Sequence, residues 1–328
     1  MLDPTKTHVV HEWKHGRPLI ACSFDPQGRY LLTSSEDYTL QRWSMETGLA
    51  VAWEAHDSWV MDLACLPDGE MFLSAGCDDR VILWPNTGET PAPIREIEAH
   101  KGWVRSVDAS PDGTLFATGG NDHLVKIWSV ADGTNVHELS GHESHVYSVK
   151  FHPTGTWLLS GDLSGKVHQW EVASGKLVRT FDAADLHSYN KGQQVHYGGV
   201  RDIAISPDQK QLACCGLHKA TNPLGAINEP LTVLFDWETG EKQRVQPTDG
   251  VRGVAWKVEY LASGEILTAS GGSGGAHLMF GKPDGEKTWH KVKLKNTLRD
   301  MCLHADGLQV ATAHHDGYVR ISRLAADG

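Results

Sequence analysis

Four sets of side chains in the first half of the chain have the types that could do nucleophilic or acid–base chemistry: a histidine, a serine or threonine, and an aspartate. They are His15, Thr33 and Asp37; His56, Ser74 and Asp78; His100, Thr118 and Asp122; and His142 with Ser160, where Ser164 stands at the aspartate position. Such a trio can activate a hydroxyl for attack. A nucleophile is needed once, however, and this set recurs with a tryptophan each time: Trp43, Trp84, Trp128 and Trp170. Recurrence once per unit assigns it to packing. The carboxylate accepts from the imidazole, the imidazole bonds the hydroxyl, and the indole N–H donates to that hydroxyl, so that every buried polar group has a partner.

The elements that must position these residues follow from the spacing. Turns recur at Pro26, Pro67, Pro111, Pro153 and Pro207, and in degenerate form at Ala262-Ser263-Gly264 and Ala305-Asp306-Gly307, seven in all. In the first four units the tryptophan comes 17 residues after the proline and the histidine 11 before it, and the Trp-to-Trp periods are 41, 44 and 42. That length suits four short strands and their turns. Alternation supports the same reading: VRSVDAS, TLFATGG, HLVKIWSV and NVHELSG are the four strands of the third unit. The last unit ends after its third strand, YVRISRL, while HVVHEWKH precedes the first strand of the first unit. Residues 7–14 are therefore expected to supply the outer strand of the last blade and close the ring.

The His, Ser/Thr, Asp and Trp positions make the chain similar to the WD-repeat (WD40, G-beta-like) β-propeller family over essentially its whole length. The resemblance implies an all-β, seven-bladed β-propeller of four-stranded antiparallel blades, a single domain over residues 1–328. Its blades would be 15–55, 56–99, 100–141, 142–181, 182–249, 250–294 and 295–328. The seventh unit keeps only Thr312 and Asp316, and the fifth and sixth have largely lost the pattern.

Composition narrows the function. The 328 residues carry 41 acidic against 30 basic groups, a net charge of −11, which argues against a broad nucleic-acid footprint. The six cysteines include no C-x-x-C pair and sit in apolar runs, so free thiols are expected. No apolar run is long enough for a signal peptide or a membrane span, and a cytoplasmic protein is expected.

Binding is expected where the repeat is decorated. Two insertions, 182–199 and 217–230, fall in loops that the family resemblance places on one face, the top; the second contains Asn222 and Asn228. A Gly-rich turn, SGGSGG at 270–275, lies beside them and leaves room for a ligand's approach. The residue at the start of each first strand reads Ile20, Met61, Arg105, Tyr147, Arg201, Arg252 and Arg299. The arginines would converge at the channel mouth and suit a carboxylate, a phosphate or an acidic peptide. The other reading is pairing with Asp62, Asp202 and Asp300, or solvated charge. Trp59 and Trp103 begin the equivalent strands of blades 2 and 3 and either anchor a protein partner or pack between blades.

A scaffold or adaptor for a protein or acidic-peptide partner is the expected function, as a monomer or as a subunit of a hetero-complex. No cofactor, metal or catalytic residue is assigned. The alternative is an enzyme or a small-anion site at the top of the channel, built on His187, His196, His218, His314 or His315 with the arginines.

Overall fold

The computed structural model describes residues 2–89, 91–220 and 228–326. It is all-β, with seven four-stranded antiparallel sheets as blades, one two-stranded hairpin and two single 3-10 turns. Blade 1 is built from Leu19–Phe24, Tyr30–Ser35, Thr39–Ser44 and Ala50–Glu54, paired in that order, and blades 2, 3 and 4 repeat the plan. Blade 5 consists of Asp202–Ile205, Gln211–His218, Glu229–Asp236 and Lys242–Pro247; blade 6 runs from Val254 to Leu294. Among the described residues no helix is long and apolar enough to cross a membrane.

Burial explains the strand sequences. The second strand of blade 1, YLLTSS, is buried at all but its first residue, because neighbours cover both of its faces; its small hydroxyls serve the polar network described below. The fourth strand, AVAWE, alternates exposed and half-buried, as an edge with one solvated face must. The proline turns between first and second strands need a left-handed residue, and Gly28, Gly69, Gly113 and Gly155 supply it at φ near 70°. In blade 5 that position is Gln209, at φ 59°.

The chain divides into two compact units, residues 1–140 with 300–328 and residues 141–299. In the first, strand His8–Lys14 pairs with Tyr318–Arg323 and completes the last blade, as the truncated final repeat implies. Two side chains hold it there. Arg320, almost fully buried, donates to Glu12 at 2.8 Å while pairing with Asp316 at 2.7 Å, and Trp13 stacks on Trp43 of blade 1 with centroids 5.5 Å apart. The core of this region gathers Leu19, Phe24, Leu31, Trp43, Val319 and Ile321. In the second unit, Leu159, Val167, Phe181, Val200, Leu212 and Phe235 belong to one core cluster.

Candidate functional site

The repeated His–Ser/Thr–Asp–Trp sets are buried networks. In blade 3, His100 Nδ1 lies 2.8 Å from Asp122, Nε2 lies 2.7 Å from Thr118 Oγ1, and Trp128 donates to the same oxygen at 3.0 Å. The carboxylate can only accept, so Nδ1 donates to it, and the Thr118 hydroxyl, able to accept from the indole while donating to Nε2, completes the network. Burial alone would raise the Asp122 carboxyl; the bonds from His100 and the Lys101 amide outweigh it and hold the group down at about 2. Blade 2 repeats the arrangement with His56, Ser74, Asp78 and Trp84. The four hydroxyls, Thr33, Ser74, Thr118 and Ser160, are fully buried and each also accepts from an indole, as a packing role requires.

Two blades depart from the sequence reading. In blade 4, Ser164 does not stand in for the acid. Asp162, two residues earlier, accepts from His142 at 2.9 Å and from Ser164 Oγ at 2.7 Å, while His142 and Trp170 both reach Ser160. In blade 1 the imidazole is turned over: His15 Nδ1 meets Thr33 and Nε2 meets Thr39, which in turn donates to Asp37. Trp43 donates to Thr33 as in the other blades. The last blade substitutes a different device, His314 Nε2 on Thr312 Oγ1 at 2.8 Å.

The first strands carry a second recurring feature. Each described first-strand pairing in blades 1, 2, 3, 4 and 6 contains a register shift, a β-bulge that re-aims one side chain. The bulged residues are Met61, Arg105 and Tyr147 in blades 2, 3 and 4. In blade 6 the shift falls at Trp256, between Ala255 and Lys257, and not at Arg252, which lies exposed before the strand begins. Counted six residues back from the turn at Ala262, as in the other blades, the position is Trp256, whereas aligning this repeat on Val251-Arg252-Gly253-Val254 gives Arg252.

Within the second unit this register brings three side chains together. The Arg201 guanidinium lies 4.3 Å from the Tyr147 ring centroid and 5.3 Å from that of Trp256, sandwiched between blades 4 and 6. Contact with two aromatic rings restricts the plane of the cation. Asp202, the next residue, is turned the other way. It accepts from the Val258 amide at 3.0 Å and forms an ion pair with Lys257 at 3.6 Å. Asp62 and Asp300 do the same work, the first accepting from the Val107 amide and Ser106, the second from the Cys22 amide at 2.7 Å. The three aspartates thus staple one blade to the first strand of the next.

The insertions meet on the same unit. Residues 182–199 form a 3-10 turn, Ala184–Leu186, and a hairpin pairing His187–Asn190 with Val195–Gly198. Leu186 is fully buried, and the Asp185 carboxylate pairs with Lys242 of blade 5. The second insertion lengthens the second and third strands of blade 5, which pair out to His218 and Glu229. There Glu229 accepts from Lys219 at 2.8 Å. On the hairpin, His187 Nε2 lies 2.8 Å from His196 Nδ1, and burial followed by the neighbouring imidazole lowers the His187 pKa.

The remaining candidates fall in different places. Arg105 and Trp103 belong to the first unit, where the guanidinium covers the indole at 4.8 Å and donates to Asn121. Trp59 and Arg299 are half-buried, and His315 is exposed. Asn228 is buried, its carbonyl accepting from Gly253, and Asn222 lies outside the described residues. The Gly-rich turn is filled by the chain itself: a Cβ on Gly271 would come 1.8 Å from the Leu298 carbonyl, and one on Gly274 2.4 Å from that of Arg252. Among the described residues no group of three or more His, Cys, Asp or Glu side chains is placed to hold a metal.

A family model for the WD domain, G-beta repeat, matches residues 6–44, 49–85, 91–129 and 133–171. Over short stretches the chain is also similar to nuclear distribution protein PAC1 of Arthroderma otae, 35% identical over 75 residues, 23% of this chain and 16% of that one. It is 39% identical over 84 residues to Protein ANTHESIS POMOTING FACTOR 1 of Arabidopsis thaliana, covering 25% and 24%, respectively. A WD repeat, SAM and U-box domain-containing protein 1 of Danio rerio is 37% identical over 78 residues, covering 23% and 16%. The matched part is thus a quarter or less of each relative. Each matched repeat starts with the fourth strand of one blade and ends with the third of the next, beginning with His8–Lys14 and Thr39–Ser44. That offset leaves a repeat array one strand short at its end and one strand long at its start, the situation that strand His8–Lys14 resolves; the chain belongs to the WD-repeat family.

Proposed function

We propose that the protein is a non-catalytic interaction scaffold that receives an acidic segment of a partner protein on blades 4 to 6, with Arg201 as the anion contact. The reading rests on one observation, the Tyr147–Arg201–Trp256 sandwich. Holding a guanidinium between two rings removes rotamer freedom before binding, so little of it is lost when a carboxylate arrives. Tyr189 and Val195, both exposed, lie on the hairpin that leads into Arg201 and offer further surface to the partner.

The test is binding of fluorescent peptides with and without clustered Asp and Glu, followed by anisotropy. Arg201→Gln is expected to weaken the acidic peptide about tenfold, the value of one charge-assisted hydrogen bond, and added salt should weaken the wild type further. Arg201→Lys distinguishes fork geometry from charge alone, and thermal melting confirms that each variant is folded. Equal affinity in wild type and Arg201→Gln overturns the proposal. Full competition by inorganic phosphate at matched concentration shifts it to a small-anion site.

A further inference from the structure

Two thiols that are 280 positions apart in sequence meet inside the first unit: Cys302 Sγ lies 3.8 Å from Cys22 Sγ. Cys22 is on the first strand of blade 1 and Cys302 on the first strand of the last blade. Cys22 is buried and Cys302 only partly so. The pair therefore joins an accessible thiol to a sheltered one, across the boundary where the two ends of the chain are brought together. A third thiol, Cys65 of blade 2, is near enough to Cys302 to feel its charge; its closest partner is Ser23, whose hydroxyl lies 4.0 Å away.

We propose that Cys22 and Cys302 are an oxidation site for hydroperoxides, which convert the pair into a disulfide that fastens blade 1 to the last blade. The Cys302 thiolate attacks the terminal peroxide oxygen. An S–O bond forms, the O–O bond breaks, and the alkoxide or hydroxide leaves and takes up a proton, giving a sulfenic acid on Cys302. Cys22 then attacks that sulfur. The S–S bond forms, the S–O bond breaks, and hydroxide leaves as water with the Cys22 proton. Two thiols and one hydroperoxide become one disulfide, one alcohol or water, and one water.

The environment sets the order of events. Cys302 is the less buried of the two thiols, so a hydroperoxide reaches it first, and Cys22, sheltered beside it, resolves the product. Burial pushes the Cys65 thiol up to about 12, which makes it a poor competitor for the sulfenic acid. Closing so long a loop constrains the unfolded chain far more than a local cross-link does.

The experiment treats the full chain with hydrogen peroxide, then reads intact mass, non-reducing peptide maps and thermal melting. The expected result is loss of two hydrogens, a Cys22–Cys302 cross-linked peptide, and an upward Tm shift of several degrees that a thiol reductant reverses. Cys22→Ser and Cys302→Ser should each abolish the shift, and Cys65→Ser should keep it. Circular dichroism and the untreated Tm verify that each variant is folded. A cross-link from Cys302 to Cys65 overturns the proposal, as does over-oxidation of Cys302 with Cys22 still reduced.

Discussion

Blades 3 and 5 solve the same packing problem with opposite chemistry. In blade 3 the position facing Val107 is Thr118, whose hydroxyl holds His100 and Trp128 together. In blade 5 the equivalent position, facing Ile203, is Cys214, and the residue in place of the tryptophan is Phe235, both fully buried among apolar neighbours. One core is polar and completely paired; the other has nothing to pair. The difference matters at the blade's end. The network ties the segment before the first strand, which carries the histidine, to the turn between second and third strands, which carries the aspartate. Those are the two segments that lengthen in blade 5, at 182–199 and 217–230. Blade 5 lacks that tie where both loops are long, and the first of them forms the hairpin that leads into Arg201.

The largest effect that tests this contrast is removal of the hydroxyl. Thr118→Val leaves the Trp128 N–H and His100 Nε2 buried without a partner, at about 1–3 kcal/mol for each orphaned group. Cys214→Ala in blade 5 orphans nothing and should cost about 1 kcal/mol, the value of a small cavity. Urea unfolding with an unchanged denaturant slope measures both. Equal costs would break the comparison.

A smaller, pH-dependent effect separates the blades further. Burial lowers His15 to about 4, against the pull of Asp37, and burial with the adjacent His142 lowers His168 to about 4. Both stay neutral in the folded chain below the pH at which unfolded histidines take up protons, near 6.5. Their contribution is therefore complete above pH 6.5 and is lost as pH falls from about 6.5 to 4. Asp122, held at about 2, behaves as a depressed acid, and its contribution is lost only between about pH 4 and 2. His168→Gln should make stability fall less steeply with acid between pH 6.5 and 4, by up to one proton's worth of slope. An unchanged slope between urea midpoints at pH 6.5 and 4.5 would count against the assignment.

The repeats were legible because their turns and buried sets recur at fixed distances, and the missing final strand pointed to His8–Lys14 for the same reason. The site was legible in part. Tyr147 and Arg201 stand six residues before Pro153 and Pro207, and Trp256 stands as far before Ala262, but aligning that repeat on Val251-Arg252-Gly253-Val254 picks out Arg252 instead. Asp162 was missed because it belongs to the end of a strand, where alignment looks for the acid in the turn. Asp62, Asp202 and Asp300 entered the sequence reading only as alternative partners for the arginines, since no sequence pattern reveals that a side chain bonds an amide one blade away.

The smallest effect on stability should be the most informative about function. Ser188 and Tyr197 are paired across the hairpin, so residues 189–196 can be replaced by Asn-Gly, which closes two antiparallel strands with a two-residue turn. The removed segment holds Tyr189, His196 and other exposed or half-buried residues, and none of the buried core. Its loss should change stability by less than about 1 kcal/mol. Leu186→Ala, a few residues earlier, empties a fully buried site between the insertion and blade 5 and should cost about 2–4 kcal/mol. Melting of the two variants therefore divides the insertion into a root that belongs to the fold and a tip that does not. If the tip's removal also leaves acidic-peptide affinity unchanged while Arg201→Gln weakens it, binding is confined to the first-strand sandwich. If the tip's removal weakens affinity at unchanged stability, the long loops of blade 5 form part of the surface that the partner touches.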